Sequence, residues 1–138
     1  MHRVNRDAPN SAAQAAMQGG CLCQAARGAA RAITRRYDAG LAAHGLTVGQ
    51  FSILAVLAAA EGQGAPVNVR RLSRVLDLEQ SATSRAVAAL TCSGWVIRAP
   101  DPRDGRARVL RLGDGAWAKF NAAARTWAEL QEAEVARD

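Results

Sequence analysis

The most constraining feature of this sequence is the segment 78–112, LEQSATSRAVAALTCSGWVIRAPDPRDGRARVLRL, in which a helical pattern gives way to two strand-like patterns. Residues 79–92 have the composition of a short amphipathic helix, with small polar side chains and an arginine on one side. Gly94 ends this helix, because glycine takes the left-handed backbone conformation more readily than other residues. Residues 95–98 are rich in strand-forming side chains and predict a first strand.

A charged turn follows the first predicted strand. Residues 101–106 (DPRDGR) combine proline, aspartate and glycine, which are typical of tight turns. Residues 108–112 (RVLRL) alternate polar and apolar side chains and predict a second strand, so the two strands form a hairpin with arginines at its tip. Helix, strand, arginine-tipped turn and strand in this order are typical of a winged helix-turn-helix and indicate double-stranded DNA as a partner.

Other helices are predicted before this segment. Residues 21–43 carry apolar side chains at three- and four-residue steps, which predicts a long amphipathic helix. Thr47 and Gln50 form a capping-box pair at the start of a second helix, and Asn68 is a typical N-cap for a third. Residues 77–78 are then a very short link to the next helix, and two helices joined so closely are typical of a helix-turn-helix.

A final helix of about 24 residues, roughly 36 Å long, is predicted over residues 114–137. A lone helix cannot bury the apolar stripe that this segment carries, so we expect it to pack against the first helix and against a second copy of the chain. A purely intramolecular core is the alternative. The residues predicted to lie at the dimer interface are Leu22, Ile33, Trp117, Phe120, Trp127 and Leu130.

These elements predict a mainly α fold with a small β-hairpin, in which a winged helix-turn-helix is flanked by long dimerisation helices. We expect one globular domain overall, because 138 residues are enough to bury one core. Its parts are a mobile N-terminal arm (1–20), a dimerisation helix (21–46), the DNA-binding region (47–113) and a second dimerisation helix (114–138).

The net charge of +6 is unevenly distributed. Residues 61–113 carry nine arginines and five acidic residues, whereas residues 114–138 carry three basic and five acidic residues. The basic excess of the first region suits a surface that faces phosphates. No apolar run reaches the roughly 18 residues of a membrane-spanning helix, and the N-terminus lacks the apolar stretch of a secretory signal. We therefore expect a cytoplasmic protein with no membrane partner.

Residues 47–112 resemble the MarR family of bacterial winged-helix regulators. The most specific part of the resemblance is the segment 101–106, because the wings of this family share an Asp-x-x-Asp-x-Arg pattern. The residues that carry the resemblance are Leu72, Ser73, the run QSATSR at 80–85, Leu90, Gly94, Arg98, Asp101, Asp104 and Arg106.

The sequence departs from the family pattern in three places. Gly105 stands where the family often has a second arginine, so we expect a weaker contact between the wing and DNA. Residues 113–116 (GDGA) replace the usual Leu-Thr-x-x-Gly start of the following helix. Relatives commonly add another dimerisation helix after the position of Asp138, so we expect a smaller or differently closed dimer interface.

The resemblance implies a homodimeric, sequence-specific transcriptional regulator, more often a repressor, that binds a palindromic site on the bacterial nucleoid. The helix 79–92 would lie in the major groove, and Arg106, helped by Arg103, would enter the minor groove. Arg98, Asp101 and Asp104 would brace the wing, with Asp104 orienting an arginine through a paired hydrogen bond. The residues predicted to contact DNA are Arg70, Arg71, Gln80, Ser81, Ser84, Arg85, Arg103 and Arg106.

The resemblance leaves open two mechanisms that release the protein from DNA. One is the binding of a small, often aromatic, ligand, and the other is the oxidation of a thiol by peroxide. Leu22-Cys-Gln-Ala25 resembles the setting of the reactive cysteine in the organic-peroxide-sensing branch of the family, and Tyr37 agrees with a tyrosine of that branch. The positive end of the helix dipole would favour the thiolates of Cys21 and Cys23. Packing of both cysteines in a dimer interface is the other interpretation.

Other classes of function have less support. A thiol peroxidase would need an acid–base constellation beyond Cys23 and Tyr37, so we do not expect an enzyme. A winged helix used for protein contacts is a further alternative, which the salt dependence of DNA binding would separate. Cys-x-Cys with His2 and His44 does not supply a convincing set of four ligands, so no metal and no cofactor is expected.

Overall fold

The structure, a computed structural model, describes residues 12, 14 and 20–137, so the predicted arm 1–20 lies almost entirely outside the described residues. The predicted class, mainly α with a small hairpin, is confirmed. The described elements from residue 20 onwards are α1 (Leu22–Leu41), a 3-10 turn (Ala42–His44), α2 (Val48–Gly62), α3 (Val69–Val75), α4 (Gln80–Cys92), β1 (Val96–Asp101), β2 (Asp104–Leu112) and α5 (Ala116–Val135).

The chain divides into two compact units, residues 1–35 and residues 36–138. In the first unit, the described residues belong mainly to the first part of α1, where Leu22 is 88% and Ile33 is 41% exposed. The second unit contains the last turns of α1 and every later element.

One hydrophobic core holds the second unit together. It is drawn from the end of α1, from α2, α3 and α4, from both strands and from α5. Each fully buried leucine in it contributes on the order of 1.5–3 kcal/mol through the apolar surface that it removes from water. The core residues with 0–1% exposure are Leu41, Ile53, Leu54, Leu57, Leu72, Val87, Leu90, Val96 and Ala123.

The predicted N-caps are present at the starts of α2 and α3. Thr47 Oγ1 accepts a hydrogen bond from the Gln50 amide at 3.2 Å, and Gln50 Oε1 accepts one from the Thr47 amide at 3.0 Å. Asn68 Oδ1 accepts from the Arg71 amide at 2.8 Å. Each cap supplies an acceptor for an amide that the helix leaves without an internal partner.

Two successive helices, α3 and α4, end in the same backbone motif. After α3 the Leu78 amide donates to the Ser73 carbonyl at 2.9 Å, and after α4 the Trp95 amide donates to the Leu90 carbonyl at 2.9 Å. Each motif needs one residue in the left-handed region. Gly94 supplies it with φ 82° as predicted, whereas the turn between α3 and α4 uses Asp77 with φ 52°.

The hairpin β1–β2 is antiparallel, with Val96 opposite Leu112 and Asp101 opposite Asp104, so its loop has two residues. Because pairing continues to the loop, β2 begins at Asp104, four residues before the predicted start at residue 108. The register is irregular between Pro100 and Asp101.

An aromatic stack joins α2 to α5. The Phe51 ring lies 5.5 Å from that of Phe120 and 5.8 Å from that of Trp127, and Trp117 meets Phe120 edge-on at 6.4 Å. Phe120, for which the sequence predicts a dimer interface, is therefore in the intramolecular core with 8% exposure, because Phe51 covers it. Trp127 remains 37% exposed, while Trp117 and Leu130 are half-buried against the core.

Polar side chains join the last turns of α1 to α5. Tyr37 donates from its hydroxyl to Gln131 Oε1 at 2.6 Å. Arg36 forms a two-pronged pair with Glu134, of which the Nη2–Oε2 distance is 2.8 Å. These hydrogen bonds hold the pKa of the Glu134 carboxyl below its usual value and raise the pKa of Arg36.

Among the residues that the structure describes, no single helix is long and apolar enough to cross a bilayer. The bent pair Leu22–His44 with Val48–Gly62 has the length and composition of a span only when its two helices are taken together.

Candidate nucleic-acid interface

The helix α4 has one buried and one exposed face. Thr83, Val87 and Leu90 are 0%, 0% and 1% exposed, as the helical spacing predicts, and they fasten the helix to the core. On the other face the Gln80, Ser81 and Arg85 side chains are exposed and Ser84 is half-buried. The structure thus brings these four predicted DNA-contacting residues together on one face of a rigidly held helix.

The first turn of α4 adds backbone donors to this face. Glu79 occupies the N-cap position, but its side chain makes no capping hydrogen bond. The Thr83 amide donates to the Glu79 carbonyl at 3.0 Å, so the amides before Thr83 have no acceptor within the helix. Unpaired amides together with the positive end of the helix dipole favour a phosphate at this end of α4.

The short helix α3 carries three arginines whose residues are exposed: Arg70, Arg71 and Arg74. In the part of the chain that the structure describes, the ion pairs involve Arg36, Arg111 and Arg137, so these three guanidinium groups are not tied to a carboxylate. Arg70 and Arg71 are among the predicted DNA contacts, and Arg74 adds a third exposed positive charge to the same helix.

The hairpin tip presents Arg103 and Arg106, both exposed. Asp101 Oδ1 accepts a hydrogen bond from the Arg103 amide at 2.8 Å, and Asp104 Oδ1 accepts one from the Arg106 amide at 3.1 Å. Each aspartate therefore fixes the backbone of the turn two residues ahead, as short aspartate side chains commonly do.

This arrangement differs from the predicted bracing of the wing. The sequence predicts that Asp104 orients an arginine side chain and that Asp101 pairs with Arg98, but among the described residues neither aspartate forms an ion pair. Each aspartate bonds to the backbone and not to an arginine side chain, because the amide two residues ahead lies within hydrogen-bond distance of its carboxylate. Within residues 20–137, neither Arg103 nor Arg106 has a carboxylate partner.

The base of the hairpin is held by contacts that sequence reasoning missed. The Leu110 amide donates to the Val67 carbonyl at 2.8 Å, and the Leu112 amide donates to Glu61 Oε1 at 2.8 Å. Arg111 Nε lies 3.8 Å from the same carboxylate oxygen. By composition alone Glu61 belongs to a loop. No local signal in the sequence links Glu61 to Leu112, because the contact spans 51 positions.

The three cysteines, Cys21, Cys23 and Cys92, are free and exposed. Tyr37 is 7% exposed and its hydroxyl is bonded to Gln131. No group of three or more metal-ligating side chains is found within the described residues.

A cavity of about 270 Å³ lies beneath the hairpin. Its walls come from the end of α2, the loop that follows and the two strands, and they are mostly apolar, with Glu61 and Arg111 as the charged side chains. Its lining contains no residue of α1 or α5, the two helices predicted to form the dimer interface.

Two helices joined by a tight turn and followed by an arginine-tipped hairpin define a winged helix-turn-helix. Residues 44–107 match the model of the MarR family. The chain is 33% identical over 70 residues to the multiple antibiotic resistance protein MarR of Escherichia coli (strain K12), a match that covers 51% of this chain and 46% of that protein. The chain thus spans about half the length of the curated relative that it matches.

Solved structures agree with this match along most of the chain. The transcriptional regulator MosR of M. tuberculosis is 26% identical, with a TM-score of 0.73, over 86% of this chain and 83% of that chain. A structure of MosR in complex with DNA is 27% identical, with a TM-score of 0.72, over 84% and 81%. The resemblance seen in the sequence is confirmed: residues 44–107 are similar to the MarR family, and the fold of most of the chain is similar to that of solved regulators.

Proposed function

We propose that this protein is a sequence-specific DNA-binding transcriptional regulator that acts as a homodimer, more specifically a repressor. The observation that carries the proposal is the pairing of two surfaces in one compact unit. One is the exposed face of α4 with Gln80, Ser81 and Arg85, and the other is the hairpin tip with Arg103 and Arg106, whose guanidinium groups lack carboxylate partners in the described structure.

The side chains of α4 fit the chemistry of the major groove. A glutamine such as Gln80 can form two hydrogen bonds to adenine, and an arginine such as Arg85 can form two to guanine or bind a phosphate. Ser81 and Ser84 can bond to base edges or to phosphate oxygens. The unpaired amides at the start of α4 favour a phosphate, which would set the position of the helix along the duplex.

The hairpin tip fits the minor groove. Arg106 and Arg103 would approach narrow A·T-rich segments, where the negative potential is strongest. The MosR structure in complex with DNA, at 27% identity, supports duplex DNA as the partner of a chain with this fold. Asp101 and Asp104 act on the turn backbone, so they shape the tip without neutralising its arginines.

Dimerisation would rest on the apolar side chains that stay exposed outside the DNA-binding surface. Leu22, Ile33 and Trp127 are 88%, 41% and 37% exposed, which is unfavourable for apolar groups in water. A symmetric pair would place two α4 helices about one DNA turn apart, roughly 34 Å, and would therefore require a palindromic site.

Release from DNA would follow either binding of a small ligand or oxidation of a thiol. The exposure of Cys21 and Cys23 makes both accessible to peroxide, which supports the second route. No described feature identifies a ligand for the first route.

Selection of bound fragments from the source genome tests the proposal, using reduced protein and peroxide-treated protein in parallel. We expect reduced protein to enrich fragments that share a palindrome, with affinity that falls steeply as salt is raised. Loss of enrichment after peroxide, restored in a variant with both Cys21 and Cys23 replaced by serine, would establish the thiol route. If reduced protein enriches no fragment at low salt, the proposed function is wrong.

A further inference from the structure

Glu61 lies in the last turn of α2, at a place that helix electrostatics disfavours. The C-terminal end of a helix carries partial negative charge, so a carboxylate there is repelled. Nevertheless the Glu61 side chain is only 19% exposed. A partly buried carboxylate at the wrong end of a helix requires compensating donors.

The compensation comes from β2. Glu61 Oε1 accepts a hydrogen bond from the Leu112 amide at 2.8 Å, across 51 positions of sequence. Leu112 is 2% exposed, so without Glu61 its amide would have little access to water, which costs on the order of 1–3 kcal/mol for a buried donor. The exposed Arg111 side chain adds a charged group 3.8 Å from the same oxygen.

Together with one backbone contact, Glu61 holds the outer edge of β2 at two points. The Leu110 amide donates to the Val67 carbonyl at 2.8 Å, and the Leu112 amide donates to Glu61. The inner edge of β2 pairs with β1 up to the loop. The Val67 contact uses only backbone atoms, so of the two outer contacts only the one made by Glu61 can be removed by changing a side chain.

The position of the hairpin tip depends on the orientation of the hairpin base, because a small rotation at the base displaces the distant tip. β1 covers five steps of about 3.3 Å from Val96, opposite Leu112, to Asp101, opposite Asp104, so the tip lies roughly 17 Å from the Glu61 contact. A rotation of about 15° at the base would move the tip by about 4 Å, which exceeds the reach of a hydrogen bond of roughly 3 Å. The orientation of the hairpin base therefore determines whether the arginines at the tip can reach the minor groove while α4 lies in the adjacent major groove.

We propose that Glu61 is a positioning residue for DNA binding: it sets the angle between the hairpin and α4, and it acts on DNA only through the two arginines of the hairpin tip, Arg103 and Arg106. This inference rests on the proposed function. Glu61, at the end of α2, would thus affect the affinity for the duplex without touching it, because its negative charge is repelled by phosphates.

A double-mutant cycle tests it, with affinity for a selected duplex measured by fluorescence anisotropy. We expect Glu61→Ala to lower affinity about tenfold, comparable to the removal of one direct DNA-contacting side chain. Glu61→Gln keeps the accepting oxygen and should stay within about threefold of the unaltered protein. In a background that carries both Arg103→Ala and Arg106→Ala, Glu61→Ala should lower affinity no further, because the side chains that it positions are already gone. Glu129→Ala removes an exposed carboxylate of α5 and serves as the matched control.

Hydrogen exchange at the Leu112 amide gives an independent readout. It should speed up in Glu61→Ala and stay slow in Glu61→Gln. If Glu61→Ala does not fold, Glu61→Asp takes its place in the cycle. This variant keeps the charge but shortens the side chain, so it should also lower the affinity for the duplex.

Two results would overturn the inference while the proposed function stands. The first is unchanged affinity in Glu61→Ala or, where that variant does not fold, in Glu61→Asp. The second is an equal loss with and without the two tip arginines, which would indicate general destabilisation. Failure of the unaltered protein to bind any duplex would instead overturn the proposed function, and the inference with it.

Discussion

The two surfaces assigned to DNA are held in place by different kinds of force. The helix α4 is fastened by packing, since Thr83, Val87 and Leu90 are entirely or almost entirely buried. The hairpin is fastened only near its base, where Leu110 and Leu112 are 5% and 2% exposed, while its tip is in solvent. Packing and hydrogen bonds at the base, not packing along the length of the hairpin, determine where the tip lies.

The difference predicts separate consequences for the two surfaces. Apolar packing contributes to the whole fold, so removing it under α4 lowers the free energy of unfolding together with DNA affinity. Changes at the hairpin tip affect DNA affinity alone, because exposed side chains contribute little to stability.

The largest expected effect is on packing under α4. Leu90→Ala should lower the free energy of unfolding by about 2–5 kcal/mol, because it removes a fully buried side chain and leaves a cavity. Urea denaturation followed by circular dichroism measures it. Leu78→Ala, at a 46% exposed leucine next to the same helix, is the control and should cost about 1 kcal/mol or less. Equal losses in both variants would contradict the idea that packing holds α4.

Arg85→Ala on the exposed face of α4 comes next. It should weaken duplex binding by about 1–3 kcal/mol and leave the unfolding curve unchanged, because the side chain lies outside the core. Anisotropy titrations at fixed salt measure the change. Lys119→Ala, which removes one exposed positive charge from α5, should have a much smaller effect. A similar loss in both would mean that net charge alone, not the α4 face, governs binding.

Arg106→Ala at the hairpin tip should weaken duplex binding by about 1 kcal/mol or somewhat more. The reason for a smaller effect than at Arg85 is that the tip is less firmly held and Arg103 lies beside it. The same titration measures it, with Arg125→Ala on α5 as a charge-matched control. Affinity equal to that of the unaltered protein would exclude the hairpin tip from the interface.

The smallest effect concerns the turn that leads into α4. Asp77→Gly should raise the free energy of unfolding by about 0.5 kcal/mol, since Asp77 has φ 52° and glycine adopts that conformation with less strain. Thermal denaturation measures it. Gly94→Ala, at φ 82° after α4, is the reverse change and should be destabilising. A loss of stability in Asp77→Gly would show that the aspartate makes a contribution of its own in this turn.

Much of the fold could be predicted because the signals were local. The capping pairs at Thr47 and Asn68, the end of α4 at Gly94 and the burial of Val87 all depend on residues within one or two turns. The exposed face of α4 was predictable for the same reason, since helical spacing alone separates it from the buried face.

The remaining features depend on contacts between distant positions, which periodicity does not encode. Phe120 is buried because Phe51, on another helix, stacks on it. Glu61 meets Leu112 because the fold brings the end of α2 to β2. The aspartates at the tip were placed correctly, but their partners depend on the two-residue loop that the register allows.

The most direct measurement compares duplex affinity of the unaltered protein with that of a variant carrying both Arg85→Ala and Arg106→Ala, across a range of salt. The account predicts that affinity falls by about a hundredfold and that the salt dependence becomes shallower by about one for each phosphate that the variant no longer neutralises. Equal affinity and an equal salt dependence in the two proteins would contradict it, because neither the α4 face nor the hairpin tip would then touch the nucleic acid.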